Sequence, residues 1–301
     1  MIYMENTTSK HNSIDLHVHS CYSDGSAPPA KIVRQAAALG LRMIAITDHD
    51  TVDGIGEALM AADEIKQPFM LIPGVEISAD YEKPLHILGY FQPKNYLAIN
   101  PFLIDMKIER HIRNQGIIAK LNNLGIRITE DDVSKVAGKA LFGRPHIAAA
   151  LIEKGVVSNQ KSAFNEYLSS GRKAYVRKRS RPPAECVAAI AAAGGLPVIA
   201  HPSQIGIKLG EVEALAMTLI GSGLFGIETY YPEHTPTETA NYLELTQKLG
   251  LFATGGSDYH GAYREKIKLG AGKDNNLYVP DTVSDIIIST LGIHADQVEC
   301  T

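Results

Sequence analysis

Asp15-Leu16-His17-Val18-His19-Ser20-Cys21-Tyr22-Ser23-Asp24-Gly25 joins an alternating, strand-like stretch to a polar turn. Side chains on an extended strand alternate with a period of two, so His17 and His19 share a face and both imidazoles can reach one metal ion. The chain leaves through Ser23-Asp24-Gly25-Ser26, a turn that can return a hard carboxylate ligand to the same place. Taken alone, a His-x-His pair fits equally a half-buried strand whose histidines are placed by packing. The choice between these readings depends on whether other strands end in the same chemistry.

Short apolar runs alternate with amphipathic helices along much of the chain. Arg42–Thr47, Phe69–Ile72, Leu85–Tyr90, Pro197–Ala200, Phe225–Tyr230 and Leu251–Thr254 read as strands, with helices such as Pro28–Leu39 and Glu211–Ile220 between several of them. This pattern predicts an α/β fold with a mostly parallel sheet. Thr47-Asp48-His49-Asp50 follows the first of these runs, Gly74-Val75-Glu76-Ile77-Ser78 the second, His201-Pro202 the fourth and Gly255-Gly256-Ser257-Asp258-Tyr259-His260 the last, while His86 opens the third. Loops beyond the carboxyl ends of parallel strands converge on one face, where such folds collect their active sites. His17, His19, His49, His86, His201 and His260 are six of the 11 histidines, and Asp24, Asp48, Glu76 and Asp258 accompany them. Imidazoles and carboxylates gathered in this way predict a polynuclear metal site.

From about Pro101 to Arg181 the strand signal vanishes and helical periodicity takes over, through Ile108, Ile112, Ile117, Ile118 and Leu121, then Ile147–Ile152, then Ala163–Leu168. This reads as a helical insertion. Residues 107–181 hold 16 Lys and Arg against 6 Asp and Glu, a balance of +10; the remaining 13 against 27 give −14, and the two sum to the chain's −4. A basic segment in an acidic protein suits a phosphate-bearing substrate, although a solvated helical face has the same composition. The 301 residues, 45% hydrophobic and 21% charged, describe a globular protein with no run approaching a membrane span. Cys21, Cys186 and Cys300 are widely spaced and odd in number, against a disulfide framework or a thiolate zinc site. With the polar start Met1–Ser13, these features lead to a cytoplasmic reading with no membrane partner and no obligate protein partner.

His17-x-His19, Thr47-Asp48-His49-Asp50, His201-Pro202 and Gly256-Ser257-Asp258-x-His260 resemble, in order, the four motifs of the PHP (polymerase and histidinol phosphatase) superfamily. Gly143-Arg144-Pro145-His146-Ile147-Ala148, Tyr175-Val176-Arg177-Lys178 and Ala193-Gly194-Gly195-Leu196 further resemble bacterial PHP phosphoesterases with a helical insertion, a group that includes a nucleoside 3′,5′-bisphosphate 3′-phosphatase and a 5′-to-3′ exoribonuclease of short RNA. The resemblance implies a distorted (β/α)7 barrel over residues 1–100 and 182–301, with residues 101–181 as a helical insertion that caps the substrate. It implies two or three divalent ions, Mn, Fe or Zn. His17, His19 and Asp258 would hold the first, Glu76 would bridge to a second on His86 and His201, and Asp24, His49 and His260 would hold the third.

Asp15 and Asp48 are then expected to orient imidazoles by accepting a ring N–H, with direct catalytic acid–base work as the alternative for Asp48. Cys21 is read as a packed residue and Ser20 and Ser257 as turn formers, since water activated by the ions makes a Ser or Cys nucleophile unnecessary. Arg144 is the expected phosphate clamp, because a planar guanidinium donates two parallel hydrogen bonds, and Arg110, Arg113 and Lys178 are expected to assist. Tyr230, Tyr231 and His234 are candidates for contact with a base or ribose, whereas His146 is read as structural. The expected activity is hydrolysis of a nucleoside 3′,5′-bisphosphate or of short 5′-phosphorylated RNA. A histidinol-phosphate phosphatase and a non-catalytic metal-binding module are the alternatives.

Overall fold

A computed structural model of the chain describes residues 12–137, 143–177 and 181–293. The chain divides into two compact units, Met1–Ile99 with Pro183–Thr301, and Asn100–Pro182. Strands β1 (Ile14–Val18), β2 (Met43–Ile46), β3 (Met70–Ser78), β4 (His86–Tyr90), β5 (Leu196–Ile199), β6 (Gly226–Tyr230) and β7 (Phe252–Gly255) form one sheet in sequence order. The helices are α1 (Pro29–Ala38), α2 (Ile55–Asp63), α3 (Asn100–Asn123), α4 (Glu130–Ala137), α5 (Arg144–Glu153), α6 (Gln160–Ala163), α7 (Pro183–Ala192), α8 (Leu209–Ile220), α9 (Pro236–Leu249) and α10 (Asp281–Leu291). Among the described residues no helix is long and apolar enough to cross a membrane.

All five residues of β1 are buried, as expected of a barrel strand covered on both faces. Beyond β7 the chain returns to β1: Val18 bridges Tyr259, the His19 N–H donates to the Tyr259 carbonyl at 2.9 Å, and the Asp258 N–H donates to that of His17 at 2.8 Å. These bonds draw the two ends of the sheet together and make it the distorted α/β barrel expected from the motifs. Neighbouring strands are parallel except around β4, which is antiparallel to both β3 and β5. The seven residues between Ser78 and His86 are too few for a crossover helix, so the chain turns back as a hairpin. One expectation is corrected here. The strand that begins at Met70 runs on to Ser78, so Glu76 lies inside β3 and not beyond its end.

Helix α1 starts with Pro29, whose fixed φ suits a first turn, and buries Ile32, Val33, Ala36 and Ala37 along one stripe. Helix α9 is capped by Thr235, whose hydroxyl accepts from the Glu238 N–H while the Glu238 carboxylate accepts from the Thr235 N–H, and it ends at Gly250 in the left-handed region. The barrel core joins Ile14, Leu16, Ile72, Leu88 and Val198 to Val283, Ile287 and Leu291 of α10. The helical unit has its own core of Ile117, Leu121, Ile128, Val133, Ile147, Leu151 and Leu168. Two residues of the expected apolar stripe fall outside it: Ile108 and Ile112 are 51% and 61% exposed. Helix α3 instead buries Leu103, Met106, Arg113 and Asn114 before reaching Ile117. Periodicity identifies rows of side chains but not which row meets a neighbour.

Candidate metal centre

Each strand delivers its polar residues to the same mouth. His17 lies in β1 and His19 just beyond it; His49, His201, Asp258 and His260 follow β2, β5 and β7. His86 is the first residue of β4, and because β4 runs backwards its start lies at the end where the parallel strands finish. The return of Asp258 to β1 needs the two preceding glycines. A Cβ on Gly256 would lie 2.4 Å from the His17 backbone nitrogen, and one on Gly255 would lie 2.4 Å from the Tyr230 Cβ. His201 (φ 26°) and Asp258 (φ 58°) adopt positive φ without being glycine, a cost that concentrates at functional sites.

Glu76, 1% exposed, is the hub. Its Oε1 lies 2.9 Å from His86 Nδ1 and 2.8 Å from His201 Nε2. Its Oε2 lies 3.3 Å from His17 Nε2, 3.1 Å from His19 Nε2 and 3.2 Å from His49 Nδ1. Asp258 Oδ1 is 3.6 Å from His17 Nε2 and 3.3 Å from His19 Nε2. At the rim, Asp24 reaches His19 Nδ1 at 3.4 Å, His49 Nε2 at 3.6 Å and His260 Nε2 at 3.2 Å.

Among the described residues four sets of donor atoms are close enough to hold an ion: His17, His19 and Asp258; His17, Glu76 and His201; His49, Glu76 and His86; and His19, Asp24, His49 and His260. All nine sequence candidates are therefore together. The sets differ from the sequence map in that His86 and His201 reach Glu76 in separate groups, and His17, His19 and His49 each serve two.

The donor chemistry fits divalent cations. His17 Nδ1–H donates to Glu228 at 3.0 Å, which leaves a lone pair on Nε2, and that atom faces His19 Nε2 at 3.1 Å as well as two carboxylates. His260 Nδ1–H likewise donates to the Asp258 carbonyl at 2.8 Å and turns Nε2 towards Asp24. Lone pairs converging in a buried space require a positive charge among them. The acid–base balance shows the same demand. Burial alone would lower His17 and His19, but Glu228, Glu76 and Asp258 pull His17 well above its ordinary value, and Asp258 and Glu76 pull His19 up to about 10. Burial would raise Glu76 and Asp258, yet the surrounding imidazoles hold both well below the carboxylate range. His49 is pushed down to about 3 chiefly by burial, which favours its neutral imidazole.

The other candidates occupy different places. Asp48, 1% exposed, accepts from the Ser20 N–H at 2.7 Å and from the Ser20 and Ser23 hydroxyls at 2.6 Å each, and so pins the turn that carries Asp24. Asp15 accepts from the Ser257 N–H at 2.8 Å, the Ser257 hydroxyl at 2.6 Å and the Gly270 N–H at 2.8 Å, and so holds the loop that carries Asp258. Neither accepts a ring N–H, contrary to expectation. A carboxylate outside the donor sets that does is Glu228, which the sequence reading missed; its signal was an ionisable residue inside the apolar run Phe225–Tyr230. Arg264, also missed, donates to Asp258 Oδ2, and so does the hydroxyl of Tyr231, a residue the sequence offers for base or ribose contact instead.

His234 donates Nδ1–H to the Thr229 carbonyl at 3.0 Å and packs between Tyr231 and Tyr242, beside a cavity of about 470 Å³ that Tyr230 also lines. In the helical unit Arg113 is 8% exposed, and its pKa falls to about 10 through burial and the nearby charges of Arg144 and Arg110. Its one hydrogen bond among the described residues is a long 3.4 Å contact with Asn114, and its Nε has no partner. Arg144 opens α5, donates to the Leu168 carbonyl at 3.3 Å and stands 5.7 Å over the Phe164 ring. His146 accepts from the Gly143 N–H at 3.1 Å, a capping contact. Lys178 lies outside the described residues.

Comparison with known proteins places this centre. The sequence profile of the PHP domain matches residues 15–117. The chain is 34% identical to a 5′-3′ exoribonuclease of Haemophilus influenzae, over 82% of this chain and 89% of that protein. It is 31% identical to a 3′,5′-nucleoside bisphosphate phosphatase of Chromobacterium violaceum, over 82% and 87%. A solved structure from Bifidobacterium adolescentis, assigned as a metal-dependent phosphoesterase, superimposes with a TM-score of 0.74 at 32% identity, covering 95% of this chain and 98% of that one. Fold and site together define a metal-dependent phosphoesterase. The chain belongs to the PHP domain family.

Proposed function

We propose that this phosphoesterase acts on nucleotides, converting a nucleoside 3′,5′-bisphosphate to the 5′-monophosphate or shortening 5′-phosphorylated RNA oligomers. His17, His19 and Asp258, Glu76 with His86 and His201, and Asp24, His49 and His260 would hold two or three ions of Mn, Fe or Zn; when bound, such ions would lower the pKa of water and neutralise phosphoryl oxygens. The observation that carries the metal reading is the convergence of five imidazoles on the buried Glu76 carboxylate. The nucleotide reading is supported by Arg113, a buried guanidinium beside Arg144 and Arg110 whose charge an anionic phosphate would answer. It is supported also by the activities named for the two relatives, one acting on RNA and one on a nucleoside bisphosphate.

In this reading Arg144, Arg113, Arg110 and Lys178 bind the phosphate and His234 contacts the nucleoside. Asp48 serves catalysis by holding the Asp24 turn. The widely spaced, odd-numbered cysteines Cys21, Cys186 and Cys300 suit the reducing cytoplasm. The test is incubation of Mn-loaded protein with adenosine 3′,5′-bisphosphate, a 5′-phosphorylated RNA pentamer and histidinol phosphate, with phosphate and mononucleotide release measured before and after chelation. Turnover of a nucleotide substrate, abolished by chelation and restored by Mn, is expected. Turnover of histidinol phosphate alone, or full activity after chelation, refutes the proposal.

A further inference from the structure

Glu228 is fully buried in β6, yet it belongs to none of the four donor sets. Both of its oxygens are engaged, and each engages a different candidate ligand. Oε1 accepts the His17 Nδ1–H at 3.0 Å; Oε2 accepts the His201 backbone N–H at 2.7 Å. The first bond fixes which ring nitrogen of His17 is free, because a carboxylate in this position holds the proton on Nδ1 and leaves Nε2 for an ion. The second holds His201 where its φ of 26° and ψ of 62° are unfavourable for a residue with a Cβ.

These two histidines leave different strands, β1 and β5, and meet in the set His17, Glu76 and His201. We propose that Glu228 is a positioning residue of the metal centre, setting the tautomer of His17 and the backbone of His201 so that both present Nε2 to the cluster around Glu76. The inference rests on the metal reading proposed above. A carboxylate is required because two donors face one group. A glutamine has a single oxygen, so its NH2 must confront either the His17 ring N–H or the His201 N–H.

Zinc-loaded protein labelled with 15N-histidine tests this without reference to catalysis. In the wild type His17 should bind zinc through Nε2, and its Nδ1 proton should exchange slowly because Glu228 accepts it. In Glu228→Gln that proton should exchange quickly or move, and zinc affinity, measured by competition with a chromophoric chelator, should fall by about 10- to 100-fold. Glu228→Asp, which keeps the charge with a shorter reach, should recover part of the loss. A merely structural Glu228 would lower the thermal midpoint of both variants but leave the zinc-bound nitrogen and the Nδ1 exchange unchanged, and that result overturns the proposal. Wild-type protein in which His17 binds zinc through Nδ1 overturns it as well, even if neither variant folds. Equal zinc affinity in wild type and Glu228→Gln sinks this inference alone, whereas a wild type that binds no zinc sinks the functional reading beneath it.

Discussion

Arg113 shows how a single side chain can be costly to the free protein and useful to the liganded one. The residue is 8% exposed, has two arginines nearby, and among the described residues its Nε finds no hydrogen-bond partner. Such a group stays buried at a cost unless an anion completes it. Arg113→Met, which keeps the volume and removes the charge, should therefore stabilise the ligand-free helical unit by about 1 kcal/mol in denaturant unfolding. The same change should raise KM for a nucleotide by about tenfold, while leaving KM for an aryl phosphate nearly unaltered. A variant less stable than wild type with unchanged KM would show that the charge answers no ligand. Arg113 is among the basic residues a reader of the sequence selects, but its burial is invisible there, since Ile108 and Ile112 on the same helix look more suited to the interior and are exposed.

Elements hold their ends by local chemistry that the sequence does display. The Thr129 hydroxyl accepts from the Asp132 N–H at the start of α4, while Asp132 accepts from the Thr129 N–H at 2.8 Å and pairs with Lys154 of the segment after α5 at 2.8 Å. Lys154 first, then Thr129, hold the Asp132 carboxyl down from 3.8 to about 2. A depressed carboxylate stabilises the folded state above its unfolded value and loses that contribution as pH falls through the folded one. The helical unit should thus lose stability between pH 3.8 and about 2, and Asp132→Asn should flatten that part of the acid titration followed by circular dichroism. An unchanged acid limb would assign the loss to other groups. The β3–β4 hairpin is a contrasting case. The short link between Ser78 and His86 announces a reversal, yet only the pairing of β4 with both β3 and β5 shows that the reversal carries His86 to the mouth.

The barrel gathers nine candidate ligands from six segments, so ion binding there would couple to folding across the molecule. Mn at about 100 times its dissociation constant should add about 2.7 kcal/mol to the stability of the barrel unit for each independent site. Calorimetry should show this as a rise in the midpoint, reversed by chelation; a midpoint indifferent to Mn would mean that the cluster holds no ion in the folded state. Strand periodicity, the His-x-His spacing and the residues after each apolar run were enough to read the α/β class and the kind of chemistry, because alternation and donor type are properties of short stretches, while the family was legible only as a resemblance of the four motifs. Which imidazole shares an oxygen with which, the role of Glu228 across the 211 positions that separate it from His17, and the turn-holding work of Asp15 and Asp48 depended on tertiary structure. Those contacts are made between segments remote in sequence, and strand order, the reversal of β4 and the return of the chain from β7 to β1 bring them within hydrogen-bonding distance.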